Sequence, residues 1–370
     1  ASGDRYLIVG NGFVGKRLVN RLLERGETDI RVFDVVPVNH WEGDSRVTFI
    51  RGDVTKAEDI QAACEGVHTV YSTFAVIRFM ERLEHQAFLS YHVNVNGTKS
   101  LLEACQKQNC KRIIVTSSSH ATTDEFSEPR FNRDETAELL TRENAHNHYG
   151  WTKAIADRIA IEADGTRLAN GEEMEITVVR PCSGVFGADD RLSFQRIMDL
   201  GVAPGVGAKA VMDWVYVENV VLGHLLAEQA LQSGVDGVRG EAFCISNDDP
   251  VSMEDFWNLT RKIIKRLPSK KMRKRLALEF VWIPEQPLWW LAYVSELSQR
   301  VFKGKVSLGA DLDTLTPAML STATMTYTYT SAKARRVLGY EPVYSLEDAI
   351  TLSLHEYYDT KFKAQDPTIE

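Results

Sequence analysis

Three places in the chain hold a tyrosine followed four residues later by a lysine: Tyr149/Lys153, Tyr329/Lys333 and Tyr357/Lys361. On a helix two such side chains share a face. A tyrosine so placed could be the acid or base of a hydride transfer, with the lysine as its helper. The spacing occurs three times, so position and neighbours must decide.

A second kind of chemistry is offered by "YLIVGNGFVGKRL", in which Gly10, Gly12 and Gly15 form Gly-x-Gly-x-x-Gly between a strand-like run and a helix-like one. The first glycine permits a tight turn, the second lets backbone approach a pyrophosphate, and the third lets helix and strand pack closely. The helix N-terminus adds unpaired N–H groups and a dipole favourable to an anion. Asp34 follows at the end of the next strand-like run, where a carboxylate bonds the adenosine ribose hydroxyls and repels a 2′-phosphate. Val35 comes next rather than a basic residue, so NAD is favoured over NADP. Asp53 in "RGDV" is placed to meet the adenine edge, and equally to cap the helix opening at "KAEDI".

The elements that must hold these groups alternate. "RYLIVG" (5–10), "IRVFDV" (30–35), "VTFIRGDV" (47–54), "VHTVYSTFA" (67–75) and "KRIIVTSS" (111–118) read as strands. Helical patterns fall at 13–26, 56–66 and 84–108. The expected fold is α/β, a Rossmann-type doubly wound parallel sheet with a smaller, mostly helical C-terminal substrate region. After a polar loop over 122–147, a helix runs from Tyr149 to about residue 163 and a strand with its exit loop over 174–187. "WVYVENVVLGHLLAEQAL" (214–231) reads as strand and helix, and "EAFCISN" (241–247) as a last strand. The domain expectation is thus an NAD-binding unit over 1–187, with 212–247 returning to the sheet. Substrate-binding pieces fall at 188–211 and 248–330, and closing helices with a polar tail at 331–370.

At 370 residues the chain can bury a substantial core. Its net charge of −8 argues against nucleic acid as a general partner. The five cysteines show no Cys-x-x-Cys or Cys/His ligand spacing, which suits free thiols and no metal. His146 and His148 are read as a loop pair rather than ligands. The apolar run at Tyr6 leaves no signal peptide expected ahead of it, and "LWWLAYV" (288–294) is too short to span a bilayer.

Taken in order, the glycine loop, "RGDV", "VNVNGTKSLLEAC", "IIVTSSS", Tyr149/Lys153, "RPCSGVFG" and "WVYVENVVLGHLLA" resemble an extended short-chain dehydrogenase/reductase. The likeness covers most of 5–250 and returns at 329–350. It implies Tyr149 as the catalytic tyrosine, Lys153 as its lysine, and Ser118 at the catalytic serine position with Ser119 the alternative. Asn94 matches the helix asparagine that organises a relay water or shapes the helix. The cofactor wall would comprise Gly10, Gly12, Phe13, Val14, Gly15, Asp34, Val35, Asp53, Val54, Thr73, Ala75, Tyr149, Lys153, Pro181 and Val185. Trp151 is bulkier than the small residues common there and would pack on the sheet or narrow the pocket.

These residue types suit oxidation of a secondary alcohol. A free tyrosine has a pKa of ~10, too high for a base near neutrality. A neighbouring lysine cation and an oxidised nicotinamide both favour tyrosinate. Lysine can also bond the nicotinamide ribose, and Ser118 can hold the substrate oxygen in line. The other two Tyr/Lys pairs follow no serine-bearing strand end and are expected to be surface helix residues.

Within this superfamily, nucleotide-sugar enzymes often carry an arginine before the "YVEN"-like strand; here Met212 stands there. "RPCSGVFG" and the long loop before Tyr149 resemble the 3β-hydroxysteroid dehydrogenase and sterol-4α-carboxylate 3-dehydrogenase group instead. The implied reaction is NAD-dependent oxidation of a 3β-hydroxyl to a ketone, with loss of carbon dioxide if a 4α-carboxylate is present. A nucleotide-sugar epimerase or dehydratase is the alternative enzyme, and a non-catalytic NAD-binding regulatory protein the second alternative. A surface partner is suggested by "RKIIKRLPSKKMRKR" (261–275), which holds nine Lys or Arg and no acid, followed by Trp282, Trp289 and Trp290. Peripheral membrane contact through 261–302 and a solvated basic helix before a core helix are both open readings. The expected setting is cytoplasmic or peripheral on the endoplasmic reticulum or another membrane. A homodimer through 84–108 and 149–163 is implied by resemblance.

Overall fold

The computed structural model describes residues 2–123, 128–303 and 305–363. Seven strands form one parallel sheet in the order Glu241–Ile245, Glu175–Pro181, Arg112–Thr116, Thr69–Ser72, Tyr6–Val9, Ile30–Asp34, Val47–Arg51. The order turns back on itself beside Tyr6–Val9, which opens a crevice at the carboxyl ends of the strands. Strands covered by helices on both faces read as unbroken apolar runs, and "YLIV" is buried at all four positions. Leu18, Val220 and Phe243 belong to the apolar cluster on one face, and Ile60, Leu101 and Ile176 to that on the other.

A third apolar cluster lies in the C-terminal region, where Phe186, Trp214, Phe256 and Trp257 stack on one another. That region carries the helices Met253–Arg266, Lys270–Arg275, Glu285–Phe302 and Pro317–Thr324. A four-stranded sheet orders Val251–Ser252, Val211–Met212, Tyr327–Tyr329 and Arg130–Arg133, and a parallel pair joins Glu279–Trp282 to Val202–Gly205. The helices Ala332–Leu338 and Leu346–Phe362 follow, and the expected polar tail from residue 364 lies outside the described residues.

Several local expectations change. The segment 84–108 is not one helix: a 3-10 turn Glu84–Gln86 and the helix Ala87–Tyr91 lead into a π-helical turn, His92–Asn96, before Gly97–Gln108. The Asn94 amide accounts for the break, because it accepts from Val76 N at 2.8 Å and donates to Val76 O at 3.1 Å. Residues 214–216 form no strand; their one ladder contact is the bridge Phe186 to Tyr216, after which the helix Val217–Gln232 begins. The 122–147 loop contains the strand Arg130–Arg133, which finds its partner in Tyr327–Tyr329, far off in sequence.

Candidate active site

The helix His148–Glu162 carries Tyr149, Lys153 and Asp157 on one face at four-residue steps, all buried. Asp157 takes a two-pronged ion pair from Arg180 on the Glu175–Pro181 strand, at 2.8 Å for both contacts. This buried clamp fixes the helix against the sheet and sets the height of the other two side chains. At its start the helix is capped by Asn147, whose Oδ1 accepts from Gly150 N at 2.8 Å. Gly150 itself is needed for approach, since a Cβ there would fall 2.8 Å from His120 O. The helix therefore presses directly on the turn Ser119–Ala121 that follows Ser118.

That approach puts Ser118 beside Tyr149, near enough to act on its phenol. Burial pushes the Tyr149 phenol up to about 12, while Ser118 works to lower it. Burial pushes the Lys153 ammonium down to about 8, with Asp157 opposing the fall. Its Nζ donates to Thr116 O at 2.6 Å, at the end of the neighbouring strand. Ser119 differs from Ser118: its carbonyl accepts from Thr122, Thr123 and Tyr329, and its own buried hydroxyl meets no hydrogen-bond partner.

Asn94 does not touch Tyr149. It donates to Thr152 Oγ1 at 3.0 Å while bridging to the Val76 backbone, so it braces the helix and the 76 loop together. Trp151 neither packs on the sheet nor narrows the pocket. It lies half-buried beside Tyr91 and His148 with Arg142 over its ring, on the side of the helix away from Tyr149. Those partners are invisible in the linear order of residues, since Tyr91 reaches Trp151 only through the fold.

In the glycine loop, two of the three glycines leave no room for a side chain. A Cβ at Gly10 would fall 2.6 Å from Phe74 N, and one at Gly15 only 1.9 Å from Gly10 O, but at Gly12 no atom lies within 4 Å. Gly10 takes φ 109°, which a side chain rarely tolerates. Gly12 thus presents bare backbone to open space at the start of the helix Phe13–Glu24, a cradle suited to pyrophosphate. Asp34 Oδ2 accepts from Asn11 N at 2.6 Å and Oδ1 from Val36 N at 2.8 Å, and each oxygen keeps a further lone pair for ribose hydroxyls. Val35 beyond it is 59% exposed. Thr73 ties the loop down from the next strand by donating to Val9 O and Gly10 O.

Asp53 accepts from Thr55 N and Oγ1 at 2.9 and 2.7 Å, the turn-capping role. Burial works to raise its pKa, but those two bonds leave it lowered. Val54 is buried against Gly97, Ala75 and Val185 are half-buried, Phe13 and Val14 flank Gly12 and Gly15, and Pro181 closes its strand. The described residues fit a dinucleotide: Gly12 offers open loop backbone, Asp34 a carboxylate with lone pairs to spare, and Lys153 stands at the end of the Arg112–Thr116 strand.

Of the other two Tyr/Lys pairs, only Lys361 is an exposed helix residue, and both tyrosines are buried. Tyr329 lies buried in a strand, its hydroxyl 2.8 Å from both Thr122 Oγ1 and Thr123 Oγ1, while Lys333 is bound to Glu241 and Ala242 O. Tyr357 is buried and donates to Asp199 at 2.6 Å, with Lys361 bonded to its oxygen. Both tyrosines are held in structural bonds; Lys333 is bound to Glu241, and Lys361, though exposed, to Asp199. His148 opens its helix instead of lying in a loop and contacts Leu83 O, and His146 contacts Thr322. One thing spacing concealed is that the buried thiols of Cys64, Cys105 and Cys110 lie within 4.8 Å of one another. Two further residues were missed: His120, whose ring packs beside Phe79 and Tyr149, and Phe79 itself, whose ring meets Tyr149 edge-on at 5.1 Å. A histidine directly after three serines was the available signal for the first.

With this geometry in place, comparison with known proteins is informative. The family model described as "3-beta hydroxysteroid dehydrogenase/isomerase family" matches residues 7–278. The chain belongs to that family. Membership places it among oxidoreductases acting on CH–OH groups. It is 30% identical to a 3-beta-hydroxysteroid dehydrogenase of Mycolicibacterium neoaurum, over 96% of this chain and 92% of that one. It is 27% identical to the mouse sterol-4-alpha-carboxylate 3-dehydrogenase, decarboxylating, over 95% and 90% respectively. Among solved structures, the UDP-glucose 4-epimerase of Thermotoga maritima superposes with a TM-score of 0.68 at 20% identity, covering 96% of this chain and 99% of that one. A dTDP-glucose 4,6-dehydratase from Streptomyces venezuelae gives 0.69 at 18%, covering 98% and 99%. At such identities these last two speak for the fold alone.

Proposed function

We propose that this protein oxidises the 3β-hydroxyl of a sterol or steroid to the 3-ketone, using NAD. The observation that carries the reading is Tyr149 buried beside Ser118, with Lys153 one helical turn on and its Nζ bonded to Thr116 O, two residues before Ser118. NAD, when bound, supplies the hydride acceptor. Tyr149 Oη takes the hydroxyl proton, Ser118 Oγ–H donates to the same substrate oxygen, and the Lys153 charge lowers the cost of a tyrosinate. Gly10, Gly12, Gly15 and Asp34 hold the dinucleotide. Family membership supports the sterol class, and a 4α-carboxysterol would lose carbon dioxide from the β-keto acid formed. The test is NADH absorbance with a panel of 3β-hydroxysterols. Turnover that Tyr149→Phe abolishes is expected; no turnover, together with UDP-sugars raising the melting temperature, would overturn the reading in favour of a nucleotide-sugar enzyme.

We also infer that the protein docks on an anionic bilayer through 261–302. The helix Glu285–Phe302 is inside out. Ser295, Glu296 and Gln299 are buried, whereas Trp290 is 76% exposed, Leu297 60% and Val301 63%. The neighbouring strand pair turns Val281 and Val202 outward, and Lys270, Lys271 and Lys274 are exposed just before it. Interfacial aromatics beside lysines suit a lipid surface, where apolar area is buried and anionic headgroups are attracted. No described helix is long and apolar enough to cross a membrane. Pelleting with anionic but not neutral liposomes is expected, and loss on charge reversal of the three lysines. Concentration-dependent self-association without lipid binding would overturn the idea. The homodimer is proposed through 84–108 and 149–163, where exposed Phe88 and Leu89 await cover.

A further inference from the structure

His120 is buried two residues beyond Ser118, and its two ring nitrogens meet different hydroxyls. Nδ1 lies 3.4 Å from Ser118 Oγ, and Nε2 lies 3.1 Å from Tyr327 OH. The backbone N–H of His120 also donates to Ser118 Oγ, at 3.2 Å. Tyr327 comes from the small sheet, so the chain of contacts runs from the C-terminal region into the catalytic turn. We propose that His120, oriented by Tyr327, is a positioning residue that fixes the direction of the Ser118 hydroxyl.

The argument is one of donors and acceptors, and it rests on the reading of Ser118 as donor to the substrate oxygen. A neutral imidazole has one N–H and one bare nitrogen. If Ser118 spends its proton on the substrate, its oxygen can only accept from His120, so the imidazole proton must sit on Nδ1. Nε2 is then bare and accepts the proton of Tyr327. Tyr327 is a buried phenol whose pKa burial raises, so it keeps that proton. The imidazole stays neutral as well, since burial, with His146 adding repulsion, holds it down to about 3. The groups facing His120 are Ser118 on its own turn, Tyr149 from the helix, Tyr327 from the strand and His146 from the preceding loop, alongside the Phe79 ring. None is a carboxylate that would favour imidazolium. With Ser118 donating outward to Tyr149 or the substrate, the contacts run one way: Tyr327 to His120 and His120 to Ser118.

Two measurements test this. The first needs neither substrate nor activity: long-range proton–nitrogen NMR spectra of the purified protein, with the His120 signal assigned by its loss in His120→Asn. The Nδ1-protonated tautomer, unchanged on acidification to about pH 5, is expected, and Tyr327→Phe should abolish that preference. An Nε2-protonated ring in the wild type overturns the proposal even if the enzyme oxidises sterols. The second uses turnover. His120→Leu should lower kcat about 10- to 100-fold with KM for NAD unchanged. It should also move the rise of kcat with pH to higher pH, because Tyr149 loses a bond that stabilises its anion. His120→Asn, whose amide N–H can stand where Nδ1–H stood, should recover most of the rate. Loss of rate with an unmoved pH profile and no recovery in the Asn variant overturns the proposal. Absence of turnover in the wild type, with the expected tautomer present, counts instead against the substrate reading.

Discussion

Two helices of this molecule break the rule that apolar side chains go inside, and they break it in opposite senses. His148–Glu162 buries Tyr149, Thr152, Lys153 and Asp157 among the strands. Glu285–Phe302 buries Ser295, Glu296 and Gln299 and turns Trp290, Tyr293 and Leu297 outward. In the first, each buried polar group has a partner that aims it: Asp157 has Arg180, Lys153 has Thr116 O, and Tyr149 has Ser118. In the second, Glu296 is taken by Arg82 at 2.6 Å and Gln299 by Gln86 at 2.8 Å, so polar bonds attach the helix and leave its apolar side uncovered. A buried polar stripe signals chemistry within the protein. An exposed apolar stripe on a polar attachment signals chemistry outside it.

The contrast can be broken experimentally. Tyr149→Phe should cost about 10²- to 10⁴-fold in turnover, with the melting temperature held, as followed by NADH absorbance and calorimetry. Asp157→Ala should instead cost about 3–5 kcal/mol of stability, because it strands Arg180 in the interior; urea unfolding measures it. Lys153 gives a pH signature. Its pKa, about 8 in the fold against 10.5 when exposed, means the native state releases a proton that the unfolded chain retains. Stability should therefore rise with pH across that window, by a few kcal/mol at most (~1.4 kcal/mol per unit), and Lys153→Met should flatten the rise. On the other helix, Glu296→Leu should cost about 1–3 kcal/mol by freeing Arg82. Trp290→Gln with Leu297→Gln should change stability by roughly 0.5 kcal/mol or less, yet remove liposome pelleting. A large stability loss in that last pair would show the face to be core, and the comparison would fail.

Much of this was legible in the sequence, for physical reasons. Strand–glycine–helix chemistry is local, so Gly10, Gly12, Gly15 and the following Asp34 declare themselves within one stretch of chain. The parallel sheet is legible because strands buried on both faces leave apolar runs. What escaped was non-local. The small sheet joins Arg130–Arg133 to Tyr327–Tyr329 across half of the chain, and although "TYTYT" alternates as a strand does, nothing local names its partner. The Tyr/Lys pairs at 329 and 357 looked superficial because spacing carries no information on burial. Inversion of Glu285–Phe302 was hidden as well, since an amphipathic pattern does not say which side faces the protein. Trp151 posed a question that only Tyr91 could answer.

The π-helical turn at His92–Asn96 has a bearing on how this chain tolerates length change. A π turn is an ordinary helix carrying one surplus residue. Deleting a single residue between 92 and 96 would let the backbone resume regular pairing, but everything on one side would rotate by about 100° relative to the other. Asn94 would swing away from both Val76 and Thr152, unfastening two segments at once. The surplus residue is thus a registration mark: the Ala87–Tyr91 and Gly97–Gln108 helices face correctly only with it counted in, and one-residue deletions there should be tolerated far less than substitutions at exposed positions of the same helices.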